Sequence, residues 1–172
     1  MATGVLGGSA IRSAANAALY RRAAEQFGNS PQQTLVMLGS PGFLMSDGRK
    51  AREAWWPHWH QFMTVVGAQR GFPPPSRESY DRDTDRQGGL LVGSPEEIAE
   101  RILLMHEHWG HVRQYIHIDM GAVPQKDLLH AIELFGTEVR PLVQKEIGST
   151  TVAERMGRSP LEPEITGGDG GI

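Results

Sequence analysis

The sequence contains seven histidines, and their spacing decides which of them can act together. His58 and His60 stand two apart, as do His106 and His108. On a helix that spacing turns the two rings away from each other, whereas paired helical metal ligands sit about one turn apart. His108 and His111 have the one-turn spacing, but no acidic residue has an evident place beside them, so no metal is expected. His117 and Asp119 differ. They belong to the alternating run Tyr115-Ile116-His117-Ile118-Asp119-Met120. A strand there puts His117 and Asp119 on one face and Ile116, Ile118 and Met120 on the other. The pair can serve as an acid–base couple or as substrate contacts. It can equally be two polar core residues satisfying each other. Trp55 and Trp59 read as core packing. No G-x-G-x-x-G or Walker pattern is present, so nothing supports a Rossmann or nucleoside-triphosphatase reading.

The elements that must position these residues alternate along the chain. Thr3–Leu6 reads as a strand ending in the turn Gly7-Gly8. Ser9 caps a helix expected over Ala10–Phe27, with Ile11, Ala15, Ala18, Leu19, Ala23 and Phe27 along one side. Gly28-Asn29 stops it. Thr34–Leu38 reads as a buried strand ending at Gly39-Ser40-Pro41-Gly42, which Phe43–Met45 extends. A helix follows over Arg49–Ala68 with the stripe Trp55, Trp59, Phe62 and Val66, and Pro57 predicts a kink or a restart. Pro73-Pro74-Pro75 is extended, and Arg77–Arg86 reads as a solvated charged loop. Ser94-Pro95-Glu96-Glu97 then combines a cap, a proline at the first helical position and a capping-box glutamate. Its helix carries Ile98, Ile102, Met105 and Trp109 and ends at Gly110. Tyr115–Met120 is the clearest strand. A last helix from Pro124 aligns Leu128, Ile132, Phe135, Val139 and Leu142, with irregularity at Gly136 and Pro141. Residues 1–147 form the ordered domain. Residues 148–172 read as a disordered tail.

Alternating strands and helices of this kind predict an α/β fold with parallel strands. The periodicity alone leaves open an open doubly wound sheet or a piece of a barrel. Composition narrows the function. The chain has 172 residues, 39% of them hydrophobic, enough for one globular core. A net charge of −3 gives no reason to expect nucleic acid or an anionic membrane. With no cysteine, disulfides and thiolate metal sites are excluded, and a reducing cytoplasm is the expected compartment. No secretory signal pattern and no membrane-length apolar run occur.

Several motifs occur together in a telling order. Gly93-Ser94-Pro95-Glu96-Glu97-Ile98-Ala99-Glu100 resembles a segment near the end of luciferase-like monooxygenases. Phe135-Gly136-Thr137-Glu138-Val139-Arg140-Pro141 resembles that family's closing helix. Leu19–Ala24, Gly42-Phe43-Leu44 and Ala51–Trp56 resemble its sixth and seventh strand–helix units. The resemblance runs from about Val5 to Glu146. It implies a (β/α)8 TIM barrel using FMN or a deazaflavin and acting on a small organic substrate. It also implies that this chain holds only the last three strand–helix units, because a full barrel needs roughly 250 residues. Truncation is the expectation, with the chain inactive alone, self-associating or pairing with a missing barrel half. In the family, residues after the sixth and seventh strands line the flavin ring. That makes Gly7, Gly8 and Ser40 the cofactor candidates. Gly39 and Pro41 stand where many relatives carry histidines. The alternative reading is a non-catalytic α/β module that pairs through an open sheet edge.

Overall fold

A computed structural model describes residues 1–120 and 122–148. The tail from residue 149 onward lies outside the described residues. Four strands form one parallel sheet: β1 (Ala2–Gly4), β2 (Met37–Leu44), β3 (Leu91–Gly93) and β4 (Arg113–His117). All three others pair with β2. The backbone explains how two edges serve three partners. Met37 N–H donates to Met1 O at 2.8 Å, and Gly39 O accepts from Val5 N at 2.8 Å. Odd residues of β2 therefore address β1. Met45 N–H donates to Gly93 O at 3.3 Å with the same parity, so β3 continues that edge beyond β1. Val36 O accepts from Val112 N at 2.9 Å on the other edge, where β4 lies.

This arrangement corrects the expected strand end at Gly39. The strand runs unbroken through Gly39-Ser40-Pro41-Gly42. Pro41 has no N–H, but it falls in the gap between the residues paired with β1 and those paired with β3, where no donor is needed. At Gly42 a Cβ would stand 2.3 Å from Leu91 O, so glycine is what lets β3 approach. The last strand is shifted from the expected Tyr115–Met120 to Arg113–His117, with the expected alternation intact.

The helices are α1 (Ala10–Ser13), α2 (Ala15–Gln26), α3 (Gly48–Phe62), α4 (Arg77–Asp83), α5 (Pro95–Trp109), α6 (Gln125–Leu134) and α7 (Arg140–Ile147). The single helix expected over Ala10–Phe27 breaks at Ala14. Its apolar stripe faces outward: Ala17 is buried, whereas Phe27 is 85% exposed. Helix α3 runs through Pro57 without the expected restart, and a π-turn over Met63–Gly67 carries the irregularity instead. Trp55, Trp59 and Phe62 of its stripe pack as read, with Trp55 and Trp59 stacked at 5.2 Å. The expected loop Arg77–Arg86 is largely helix α4. Ser76 Oγ accepts from Ser79 N at 3.1 Å, Arg77 pairs with Asp81 at 2.8 Å, and Tyr80 is buried. Burial pushes the Tyr80 phenol upward in pKa, and its hydroxyl donates to Arg52 O at 2.9 Å.

Helix α5 carries the predicted capping box. Glu97 N donates to Ser94 Oγ at 3.4 Å, and the Glu97 carboxylate accepts from Ser94 N at 2.9 Å. The closing helix is interrupted by a π-turn over Phe135–Val139, as Gly136 predicted, while Pro141 sits in the first turn of α7. The extra residue of that turn shifts the phase of the residues after it, Leu142 among them, whereas Ile132 precedes it and lies on the solvent side of α6. Ala131, Leu134 and Val139 are inside, and Ile132 and Leu142 are exposed rather than packed.

Candidate functional site

The register sorts the sheet into two faces. Leu38 and Ser40 of β2 lie beside Thr3 of β1 and Gln114 and Ile116 of β4. This face turns to the core, where Leu38 and Val5 are buried and Ile116 and Ile118 pack. The opposite face carries Ala2, Gly4 and Leu6, then Met37, Gly39 and Pro41, then Arg113, Tyr115, His117 and Asp119. Every residue named from β1 and β4 on this face is exposed. Tyr115 lies across Gly39, where a Cβ would come within 2.0 Å of its ring.

The candidates separate on this frame. His117 and Asp119 stand on the open face, with Nε2 and Oδ1 3.7 Å apart and both side chains well exposed. Ser40 stands in mid-strand on the core face. It is buried, and its Oγ has no hydrogen-bond partner in the structure. Among the described residues, no group of three or more histidines and carboxylates could hold a metal ion.

Gly7 and Gly8 stand in the turn that leaves the C-terminal end of β1, where φ is 151° and 68°. Few residues other than glycine hold such angles. The turn is laced to the segment before β3. Gly8 O accepts from Gly89 N at 2.8 Å, and Ala10 N donates to Gln87 O at 2.9 Å. Gly8 N–H donates to Asp83 Oδ1 at 2.9 Å. A Cβ on Gly7 would meet Asp83 Oδ2 at 2.8 Å. A backbone donor in this turn thus already engages an anionic group. Beside it is a cavity of about 380 Å³ lined by Gly8, Ser9, Arg12, Arg82, Asp85, Arg86, Gln87 and Gly88. Three arginines against one carboxylate make it a basic concavity on a glycine turn, a setting suited to a phosphate.

A second polar cavity of about 460 Å³, between α3, α4 and α5, is a different case. Its principal guanidinium groups are already engaged. Arg52 pairs with Glu97 at 2.9 Å, and Arg77 with Glu53 at 2.9 Å. Arg101, only 4% exposed, donates to the carbonyls of Thr84 at 3.1 Å, Gly88 at 2.9 Å and Leu90. Burial pushes its pKa down to about 10, against the pull of Glu97, so it remains a cation at neutral pH. We read this cavity as an ion-pair network that braces the segment reaching Gly8. The sequence carried no local sign of Arg101's role, because its partners are backbone groups of another segment.

No protein-family model matches the sequence, and no curated protein matches it. Solved structures do share the fold. The monooxygenase RslO1 from Streptomyces bottropensis superposes with a TM-score of 0.62 at 19% identity, over 80% of this chain and 40% of its own. The oxygenating constituent of 3,6-diketocamphane monooxygenase from the CAM plasmid of Pseudomonas putida, solved with FMN, gives 0.54 at 18%, over 81% and 42%. The coenzyme F420 dependent tetrahydromethanopterin reductase from Methanopyrus kandleri gives 0.51 at 17%, over 80% and 44%. The chain spans less than half the length of each. The structural likeness points where the motifs pointed: this chain has the fold of part of a luciferase-like flavin monooxygenase.

Proposed function

We propose that this chain is the C-terminal portion of a luciferase-like, flavin-dependent oxidoreductase, an incomplete (β/α)8 barrel that carries part of the flavin site. The observation that carries the reading is the Gly7–Gly8 turn after β1, whose Gly8 lines a cavity with three arginines. Nothing stands within 4 Å of where a Cβ on Gly8 would lie, so the chain is open to close approach there, while Gly7 carries the bend beside Asp83. Arg12, Arg82 and Arg86 neutralise the phosphate end, and Ser40 supports β2 from the core side. Bound FMN, or a deazaflavin, supplies the hydride or oxygen chemistry. The chain positions the ring and the small organic substrate. His117 and Asp119, exposed on the open face, hold a polar substrate group or accept its proton.

The remaining strands complete the barrel and cover the open face, supplied by a second polypeptide portion or a second copy. Chemistry needs that completion, so the chain alone binds flavin and does not turn over. No helix among the described residues is long and apolar enough to cross a membrane, and we assign the chain to the cytoplasm on its lack of cysteine. Titration with FMN, followed by flavin fluorescence, tests the reading. Saturable quenching supports it. The absence of any saturable change at high micromolar FMN contradicts flavin binding by this chain.

A further inference from the structure

Gly7, the neighbour of the Gly8 that lines the arginine cavity, lines another cavity, of about 470 Å³. Its wall is apolar. Trp59 and Met63 come from the end of α3 and its π-turn, Phe72 and the three prolines from the connecting segment, and Leu6 from the end of β1. Leu6 and Phe72 are each 45% exposed, although both are large apolar side chains. A concave apolar site of this volume suits a small molecule rather than a protein surface. One end is polar. Ser76, Ser79 and Asp83 line it from the cap and one face of α4. The two serines serve each other: Ser79 Oγ donates to Ser76 O at 2.8 Å, and Ser76 Oγ accepts from Ser79 N at 3.1 Å. Asp83 uses Oδ1 for Gly8 N–H. Its Oδ2 has no donor among the described residues.

We propose that this cavity binds a mainly apolar molecule carrying one hydroxyl or ammonium group. The polar head donates to Asp83 Oδ2, and the tail lies against Met63, Phe72 and Trp59. The carboxylate selects a donor head and repels an acidic one, while the apolar wall sets affinity. The inference deepens the flavin reading only by giving the substrate this side of the turn. Its test uses no flavin, so the two readings fail separately.

The probes are octylamine, 1-octanol and octanoate, which share one tail and differ in head group. Binding to the full chain is measured by calorimetry and by tryptophan fluorescence at neutral pH. Octylamine and octanol are expected to saturate, with octanoate weaker than octylamine by about tenfold or more. Asp83→Asn keeps the acceptor for Gly8 N–H and removes the charge, so it is expected to bring octylamine and octanoate to within about twofold of each other. Phe72→Ala, at an exposed side chain, is expected to weaken all three probes by a similar factor of about five or more. Equal binding of octylamine and octanoate to the unaltered chain overturns the proposal. So does discrimination that survives Asp83→Asn, insensitivity to Phe72→Ala, or no saturable binding of any probe.

Discussion

Replacing Arg101 with methionine removes the donor that ties three carbonyls of the 84–90 segment to α5, while keeping a long apolar stem. Two of those bonds measure 3.1 Å and 2.9 Å, and the third goes to Leu90 O. Hydrogen bonds from a charged group contribute about 1.5–3 kcal/mol each, so the three sum to about 5–9 kcal/mol before desolvation. Keeping a guanidinium out of water costs several kcal/mol, and methionine is freed of that cost. The expected net loss is about 3 kcal/mol, a large share of the ~5–15 kcal/mol that holds a domain folded. Urea unfolding followed by tryptophan fluorescence reads it directly. With a denaturant slope of about 2 kcal/mol per molar, the midpoint falls by about 1.5 M. Arg101→Lys is expected to lose most of the same amount, because one ammonium does not span three carbonyls. A loss below about 1 kcal/mol, or a gain, is the contrary result. It would mean that those carbonyls find other partners and that Arg101 does not hold the segment against Gly8.

Three further outcomes follow from the same geometry. Gly42→Ala drives a Cβ to 2.3 Å from Leu91 O, so it is expected to destabilise by about 2–4 kcal/mol. At Gly39→Ala the nearest atoms belong to the exposed Tyr115 ring, which swings aside, so the cost is expected to be less than about 1 kcal/mol; thermal or urea unfolding of the two variants side by side checks the contrast. Acid lowers stability through Glu97. Burial raises its pKa, but the bidentate Arg52 pair and Ser94 N–H outweigh burial and leave it lowered from the ordinary 4.5. A lowered folded pKa stabilises above the unfolded value, and that stability disappears as pH falls through the folded one. Stability of the unaltered chain is therefore expected to drop below about pH 4.5, and Glu97→Gln to flatten part of that drop in urea titrations at stepped pH. Finally, the open face and the outer edges of β1 and β4 predict concentration-dependent self-association in sedimentation experiments, which Tyr115→Lys weakens. A chain that stays monomeric at every concentration contradicts that expectation.

The parts legible in the sequence were those set by neighbouring residues. Ser94 and Glu97 cap each other three positions apart, so the start of α5 could be read from four letters. The alternation of Tyr115 to Asp119 gave the two faces of β4 even though the strand ends earlier. What escaped depends on distant partners. Pro41 looked like a strand end because its tolerance rests on where β1 stops and β3 begins. Helix α4 was hidden because its arginines and carboxylates resemble a solvated loop until Tyr80 finds its buried place. Periodicity told which residues of α2 share a side, not whether anything covers that side, so Leu19 and Phe27 came out exposed. The glycine turn was legible as a turn. Asp83, seventy-five residues away, and the arginines around it were not.

Hydrogen–deuterium exchange with and without FMN shows whether flavin phosphate sits against the Gly7–Gly8 turn. Binding there is expected to slow exchange at residues 8–12 and 82–88, the segments that line the arginine cavity, and to leave α6 and α7 unchanged. Riboflavin, which has no phosphate, is expected to give markedly less protection. Protection that falls elsewhere, or equal protection by riboflavin, contradicts the account.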